Sequence, residues 1–202
     1  MVQEQLVARG IADQQVIDAM AKVPRDYFVP DRLKGASYDD QALPLGPDQT
    51  ISQPYVVALM LEAAAINKAD KILEIGTGSG YEAALLAELG GQVYSIEIDK
   101  GLHRNAKTAL DALGYRSVNL KAGDGYLGWK ENSPFDVIII SAAPPEIPRE
   151  LMSQLNMGGR MILPLGREAQ ELVVIKKTES GLEVEELGGV RFVPMRRKES
   201  VS

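Results

Sequence analysis

The middle of the chain alternates between two kinds of hydrophobic pattern. Mostly apolar runs, as expected of strands buried on both faces, occur at 71–75, 92–98, 118–122, 135–140 and 160–165. Between them we predict helices at 81–89 and 102–113, and a further helix from Pro148 to Gly158 and Gly159. Regular strand–helix alternation predicts an α/β fold with a doubly wound, mostly parallel sheet, whose ligand site lies at the carboxyl ends of the strands.

The two ends of the chain carry other patterns. At the N-terminus we predict a short helix over 2–9 that stops at Gly10, and a second helix that Asp13 caps and Pro24 ends. The segment 25–49 is irregular, and long irregular segments in compact folds often belong to binding sites. A helix follows with Pro54 in its first position. Near the C-terminus, strand-like runs at 172–176, 182–187 and 190–193 predict antiparallel pairing.

Three glycines at alternate positions follow the first strand of the middle region, in the sequence KILEIGTGSG at 71–80. Glycine has no Cβ and tolerates positive φ, so backbone amides here can approach a bound molecule closely. For the glycines alone, an ordinary tight turn between a strand and a helix is the alternative explanation. The next strand ends on Glu97, where a carboxylate can accept both hydroxyls of a ribose. Together these features predict a nucleoside cofactor.

The spacing of the glycines argues against a dinucleotide. In the G-x-G-x-x-G/A fingerprint, the sixth position is Tyr81 when counted from Gly76 and Ala83 when counted from Gly78, so the match is poor. The pattern that begins at Glu74, acid-Ile-Gly-x-Gly-x-Gly, instead resembles the first motif of S-adenosylmethionine-dependent methyltransferases. A carboxylate is compatible with the positively charged methionine end of that cofactor. A nicotinamide-dependent oxidoreductase on the same architecture stays as the alternative.

Composition narrows the class of protein further. The chain has 202 residues, a net charge of −6 and no cysteine. The negative charge argues against binding to nucleic acid, and the lack of cysteine excludes a disulfide or a thiol nucleophile. No apolar run approaches the roughly 20 residues needed to span a bilayer, so we expect a cytoplasmic protein without a membrane partner.

Seven segments along the chain together resemble the protein-L-isoaspartate O-methyltransferase family. They are RGI at 9–11, VPRDYFVP at 23–30, QTISQPY at 49–55, LEIGTGSGY at 73–81, GDGYLGW at 123–129, PFDVIIISAA at 134–143 and QLNMGGRMILPLG at 154–166. Many methyltransferases share the glycine motif, whereas QTISQPY is highly specific. The resemblance covers nearly the whole chain and implies a class I, Rossmann-like methyltransferase fold.

The resemblance also implies roles for individual residues. Ser52 matches the active-site serine of the family, although its position alone would more often indicate a helix cap or turn residue. Cofactor contacts are implied for Glu74, Gly76, Thr77, Gly78, Ser79, Gly80, Glu97, Asp124 and Gly125. The segment VPMR at 193–196 departs from the pattern of members that carry threonine here, so we predict no site residue in it.

The implied reaction transfers a methyl group from S-adenosyl-L-methionine to the α-carboxylate of an L-isoaspartyl residue in a damaged protein or peptide. The other product is S-adenosyl-L-homocysteine, and the ester then closes to a succinimide, which restores aspartyl residues. The acceptor carboxylate has a pKa of about 4 and is already ionised at neutral pH, so His103 is not needed as a base. We predict that 25–49 and 141–148 form walls of the peptide cleft. A non-catalytic module that binds the same cofactor is the second alternative.

The predicted organisation is one methyltransferase domain over residues 1–202. Residues 1–66 would form N-terminal helices and a substrate-side arm, 67–166 the cofactor-binding core, and 167–202 the antiparallel C-terminal strands. We expect a monomer without a bound metal.

Overall fold

The computed structural model describes residues 1–47 and 49–197. Within these ranges the α-helices are α1 (Gln14–Lys22), α2 (Pro54–Ala64), α3 (Tyr81–Leu89), α4 (Lys100–Ala112) and α5 (Arg149–Gln154). The strands are β1 (Leu43–Gly46), β2 (Gln49–Ile51), β3 (Lys71–Ile75), β4 (Gln92–Glu97), β5 (Asn119–Ala122), β6 (Phe135–Ile140), β7 (Leu155–Gly166), β8 (Gln170–Thr178) and β9 (Gly181–Val190).

A seven-stranded sheet has the order β5-β4-β3-β6-β7-β8-β9. The first five strands of this order run parallel, and β8 and β9 add to the same sheet in antiparallel orientation. The chain proceeds from β3 outward to β5 and then returns to β6 on the other side of β3. A ligand crevice is expected at such a reversal. The predicted α/β, mostly parallel architecture is confirmed.

The central strands are apolar throughout because both faces of the sheet are covered. In β3, Ile72 packs with α2 and α3 on one face, while Leu73 and Ile75 pack on the other. The second face is closed by α5, which contributes Leu151, and by the aromatic rings that follow β5. Burying such side chains stabilises the fold by roughly 1.5 to 3 kcal/mol each.

The N-terminal predictions are confirmed in part. Residues Val2–Leu6 form a π-type turn and Val7–Arg9 a 3-10 turn rather than one α-helix, and Gly10 ends them with φ of 101°. Asp13 caps α1 by accepting hydrogen bonds from the backbone amides of Gln15 and Val16. The prediction that 25–49 lacks regular structure is wrong, since the antiparallel hairpin β1–β2 begins within it.

Two predicted boundaries near the C-terminal half are also wrong. The helix that begins after Pro148 ends at Gln154, and Gly158 and Gly159 lie inside β7. Between Phe135 and Val137 the pairing of β6 moves from Leu155 to Arg160, so these glycines belong to a bulge. The run 190–193 does not form a separate strand, because β9 continues through Gly188 and Gly189 to Val190. In the described part of the chain no helix is both long and apolar enough to cross a membrane.

Candidate active site

A cleft lies at the carboxyl ends of β3 and β6, where the chain order of the strands reverses. The predicted site residues that line it are Ser52, Gly76, Thr77, Gly78, Ser79, Glu97 and Gly125. The other three, Glu74, Gly80 and Asp124, are not among the described residues that line this cleft. The structure therefore brings seven of the ten predicted residues to one cleft.

The glycine turn begins where β3 ends. Gly76, Gly78 and Gly80 have φ angles of 96°, 54° and 92°, which L side chains adopt rarely. The backbone amide of Gly76 donates a 2.9 Å hydrogen bond to the carbonyl of Ile96, which anchors the turn to β4. A Cβ at Gly80 would lie 3.3 Å from the Cβ of Ala106, so this glycine serves the packing of α3 against α4 rather than the cleft.

Glu97 is fixed beside the turn by two backbone hydrogen bonds. Its Oε2 accepts from the amide of Gly78 and its Oε1 accepts from the amide of Asp99, each at 2.8 Å. The side chain is buried yet lines the cleft. A carboxylate has about four lone-pair positions, so two remain for a ligand that presents adjacent hydroxyls. This arrangement fits the ribose of the predicted nucleoside.

Glu74 lies beneath the turn and is fully buried. Its Oε2 accepts a hydrogen bond from the hydroxyl of Ser95, which lies 2.5 Å from the hydroxyl of Thr77. Its Oε1 has no partner within the described ranges. Burial raises the pKa of Glu74 well above its ordinary value, and the neighbouring Glu82 raises it further.

Asp124 and Gly125 form the turn that follows β5. The side chain of Asp124 accepts a 2.9 Å hydrogen bond from the amide of Tyr126, and so caps the 3-10 turn Gly125–Leu127. A Cβ at Gly125 would lie 2.4 Å from Cγ2 of Ile75 and 3.3 Å from Cε of Met195. A larger residue would push this turn away from β3, so Gly125 sets the width of the cleft at this wall.

Ser52 lies between β2 and α2. Gln53 is the N-cap of α2 and makes no side-chain capping bond, so Ser52 does not cap this helix. The backbone carbonyl of Ser52 accepts a 2.8 Å hydrogen bond from Nη2 of Arg25. Its hydroxyl makes no hydrogen bond with the residues that the structure describes, and the side chain borders the cleft. The hydroxyl is therefore available to a ligand.

Glu82, the second residue of α3, is a site residue that the sequence analysis missed. It lines the cleft, and its Oε2 accepts a hydrogen bond from the hydroxyl of Ser141 at the end of β6. Burial raises the pKa of Glu82 to about 7, although the bond from Ser141 opposes this shift. An acidic residue in the otherwise apolar start of YEAALLAEL was the signal that could have identified it.

The C-terminal segment Val193, Pro194, Met195 and Arg196 was also missed and forms one wall of the cleft. The amide of Ala143 donates to the carbonyl of Val193, and the amide of Met195 donates to the carbonyl of Ala143, both at 2.8 Å. Arg196 is the only cation among the described residues that line the cleft. Its position depends on contacts across about 50 residues of chain, for which the local pattern holds no signal.

A wider groove continues from the cleft past Ser52 and Ser141. Its lining includes Asp40, Gln41, Ala42, Thr50, Gln53, Glu168, Glu171, Arg191 and Phe192. The predicted arm contributes to both spaces, since 40–42 border the groove and 49–51 border the cleft. The loop 141–148 contributes Ser141 and Ala142 to the cleft. An extended ligand lying in the groove would reach the cleft at Ser52.

The fold and the site define a class I methyltransferase: a parallel sheet with a cleft at its strand reversal, a glycine turn, and a carboxylate that suits a ribose. The chain belongs to the protein-L-isoaspartate(D-aspartate) O-methyltransferase family, whose model matches residues 1–200. It is 52% identical over 199 residues to protein-L-isoaspartate O-methyltransferase 2 of Anaeromyxobacter sp., covering 98% of this chain and 82% of that protein. It is 50% identical over 200 residues to the corresponding enzyme of Gloeobacter violaceus, covering 98% of each.

Solved structures agree with this family. One protein-L-isoaspartate O-methyltransferase has a TM-score of 0.85 and 31% identity, covering 96% of this chain, which spans 65% of that longer chain. A Plasmodium falciparum structure described as a member of the same family, in complex with S-adenosyl-L-homocysteine, has a TM-score of 0.85 and 24% identity, with 98% and 97% covered. The predicted family, methyltransferase activity and fold are confirmed.

Proposed function

We propose that this protein transfers a methyl group from S-adenosyl-L-methionine to the α-carboxylate of L-isoaspartyl residues in proteins and peptides. Membership of the family supports the reaction. The observation that carries the assignment of the site is that Ser52, the glycine turn and Glu97 border one cleft although they come from distant parts of the chain. The ester would then close spontaneously to a succinimide.

The described residues fit the methyl donor. Glu97 would hold the ribose, the turn at Gly76 and Gly78 leaves room close to the backbone, and Gly125 would border the adenosine. When bound, S-adenosyl-L-methionine supplies a methyl group activated on a positively charged sulfur. For this chain's residues the remaining task is to hold and align the acceptor.

Ser52 is the residue to which we assign that alignment. Its hydroxyl, which has no hydrogen-bond partner among the described residues, can donate to the acceptor carboxylate. Its backbone carbonyl accepts a hydrogen bond from Arg25. The acceptor is already ionised at neutral pH, so no side chain has to remove a proton. Correct alignment can be worth up to roughly 10 kcal/mol. The segment 193–196 forms one wall of the cleft in which the acceptor would be aligned.

We further propose that residues 1–202 act as one methyltransferase domain, with N-terminal helices and the substrate-side arm at 1–66, the cofactor core at 67–166 and the antiparallel C-terminal strands at 167–202. The protein is proposed to work as a cytoplasmic monomer that binds neither nucleic acid nor membranes. The negative net charge and the acidic residues of the groove support this proposal.

The deciding experiment is a radiolabelled methyl-transfer assay on two versions of one peptide that differ only in an isoaspartyl or an aspartyl linkage. We expect transfer to the isoaspartyl peptide alone. Binding of the cofactor without turnover on either peptide would favour the non-catalytic module. Gel filtration with light scattering tests the monomer.

A further inference from the structure

Two buried carboxylates, one in the cleft and one behind it, have no cation paired with them among the described residues. Glu74 is fully buried and Glu82 is 7% exposed. Each accepts one hydrogen bond from a serine hydroxyl, from Ser95 and Ser141 respectively. The Oε1 atom of each has no partner within residues 1–47 and 49–197. Glu82 lines the cleft that the methyl donor would occupy, and Glu74 lies behind this lining, close enough for Glu82 to raise its pKa.

Within the part of the chain that the structure describes, the surrounding elements do not place a cation beside these carboxylates. From β4, Glu97 adds a third carboxylate that raises the pKa of Glu74. Next to Glu82, the hydroxyl of Tyr81 is directed to the sulfur of Met20. From the C-terminal segment Arg196 borders the same cleft, but it is exposed and forms no ion pair with the described residues. From residues 1–47 and 49–66, those that line the cleft are all uncharged, namely 49–52 and Val57.

Burying two like charges without a counter-ion is strongly unfavourable, and a carboxyl group avoids the cost by keeping a proton. A cation that enters the cleft removes the need for that proton. The methyl donor carries two cationic groups, an α-ammonium and a sulfonium. The exchange of a proton for a cation therefore follows from the burial of these carboxylates and from their Oε1 atoms, which have no partner among the described residues.

We propose that Glu74 and Glu82 form a proton-exchange pair, which holds a proton in the ligand-free protein and releases it to solvent when the cationic part of the methyl donor binds. This inference rests on the proposed function, because the cation belongs to the methyl donor. It assigns Glu82 a role in cofactor binding. It also makes the affinity for the cofactor increase with pH.

Titration calorimetry in two buffers of different ionisation enthalpy counts the protons released on binding. With S-adenosyl-L-methionine at pH 7 we expect wild-type protein to release about half a proton or more, because Glu82 titrates near this pH. Affinity should rise about fivefold from pH 6 to pH 7. S-adenosyl-L-homocysteine keeps the ammonium but lacks the sulfonium. Proton release with both ligands would assign the exchange to the ammonium. Proton release with S-adenosyl-L-methionine alone would assign it to the sulfonium.

Glu82→Gln keeps the shape of the side chain and should reduce the proton release. Glu88→Gln makes the same change on the same helix at a residue outside the cleft, and should leave the release unchanged. The ligand's own α-amino group, with an ordinary pKa near 8, contributes equally to the proton release of wild type and variants. The difference in proton release between them therefore reports on the glutamate pair.

The outcomes separate this inference from the proposed function. Saturable binding of both ligands to the wild type without proton release would overturn the proton-exchange pair and leave the methyltransferase assignment intact. Equal release by wild type and a folded Glu82→Gln would overturn it as well. If neither ligand binds the wild type, the proposed function fails and this inference fails with it.

Discussion

The guanidinium of Arg25 donates a 2.8 Å hydrogen bond through Nη2 to the backbone carbonyl of Ser52. Arg25 is fully buried, and its Nε donates at 2.7 Å to the carbonyl of Ser37. The guanidinium also lies over the ring of Tyr81, 5.0 Å from its centroid. The side chain of Arg25 thus contacts three segments: the arm at Ser37, the proposed acceptor-binding residue Ser52, and α3 at Tyr81.

Replacing Arg25 with methionine should therefore affect both stability and turnover. Arg25→Met leaves the carbonyls of Ser37 and Ser52 without their donor, and we expect a loss of about 2 to 4 kcal/mol in the free energy of unfolding. The rate constant for methyl transfer should fall in the fraction that stays folded. Urea denaturation and the peptide assay measure both quantities. Arg32→Met at an exposed position is the control, and equal effects of the two changes would contradict the connecting role.

Ser52→Ala should separate alignment from structure. Because the hydroxyl makes no hydrogen bond to the described protein, we expect the free energy of unfolding to change by less than about 0.5 kcal/mol. Loss of a hydrogen bond to the charged acceptor should lower kcat/KM for the isoaspartyl peptide by about 10- to 100-fold. Affinity for S-adenosyl-L-homocysteine should be spared. A less stable variant with normal methyl transfer would show that Ser52 is structural only.

Glu97→Gln should weaken cofactor binding. An amide has one acceptor oxygen and cannot accept from both Gly78 and Asp99 as the carboxylate does. We expect a loss of about 1.5 to 3 kcal/mol in the free energy of binding S-adenosyl-L-homocysteine, measured by calorimetry. Glu131→Gln, at an exposed position, should bind normally. Unchanged affinity in Glu97→Gln would rule out the ribose assignment.

Two substitutions at Gly78 test whether backbone conformation or space limits the turn. A Cβ there would lie 3.8 Å from the carbonyl oxygen of Gly76 and 3.9 Å from Cδ1 of Leu45, so it would make ordinary van der Waals contacts without a clash. The φ of 54° is tolerated by asparagine and strained for valine. Gly78→Val should be less stable than Gly78→Asn by roughly 1 to 3 kcal/mol in thermal unfolding. Equal melting temperatures would contradict the strain argument.

The raised pKa of Glu82 predicts a pH dependence of stability. Between its ordinary pKa of about 4.5 in the unfolded chain and about 7 in the folded protein, the folded state binds more protons. The contribution of Glu82 to the free energy of unfolding must therefore decrease as pH rises through this window. Glu82→Gln should remove this decrease. The free energy of unfolding of the variant, relative to that of the wild type, should therefore increase by on the order of 2 kcal/mol from pH 5 to pH 7.5, as measured by urea denaturation.

Glu88→Gln is the control for this pH profile. Burial raises the pKa of Glu88, but hydrogen bonds from Lys22 and Tyr115 lower it more, so the net shift is downward. Its contribution to stability is present above the unfolded pKa and is lost as pH falls. The two variants should therefore change the pH profile in opposite directions. Profiles that change in the same direction would contradict the protonated state of buried Glu82.

The sequence by itself determined the features that depend on neighbours along the chain. The bounds of β3, α3 and β6 were predicted to the residue, because each is a mostly apolar run with glycine or proline at one or both of its ends. The carboxyl ends of parallel strands meet at one edge of a sheet, so the sequence alone places Glu97 and Gly125 near the glycine turn. The family resemblance added Ser52.

Only the tertiary structure decided which of these residues face the cleft and which support it. Glu74 and Gly80 belong to the same motif as Gly78, yet one is buried beneath the turn and the other packs against α4. The role of Arg25, the burial of Glu82 and the wall formed by 193–196 depend on contacts between segments far apart in sequence. Local patterns encode which side chains are apolar. The burial of the carboxyl groups of Glu74 and Glu82 and the hydrogen bonds to the backbone arise only when distant segments pack together. Here these properties define the chemistry of the cleft.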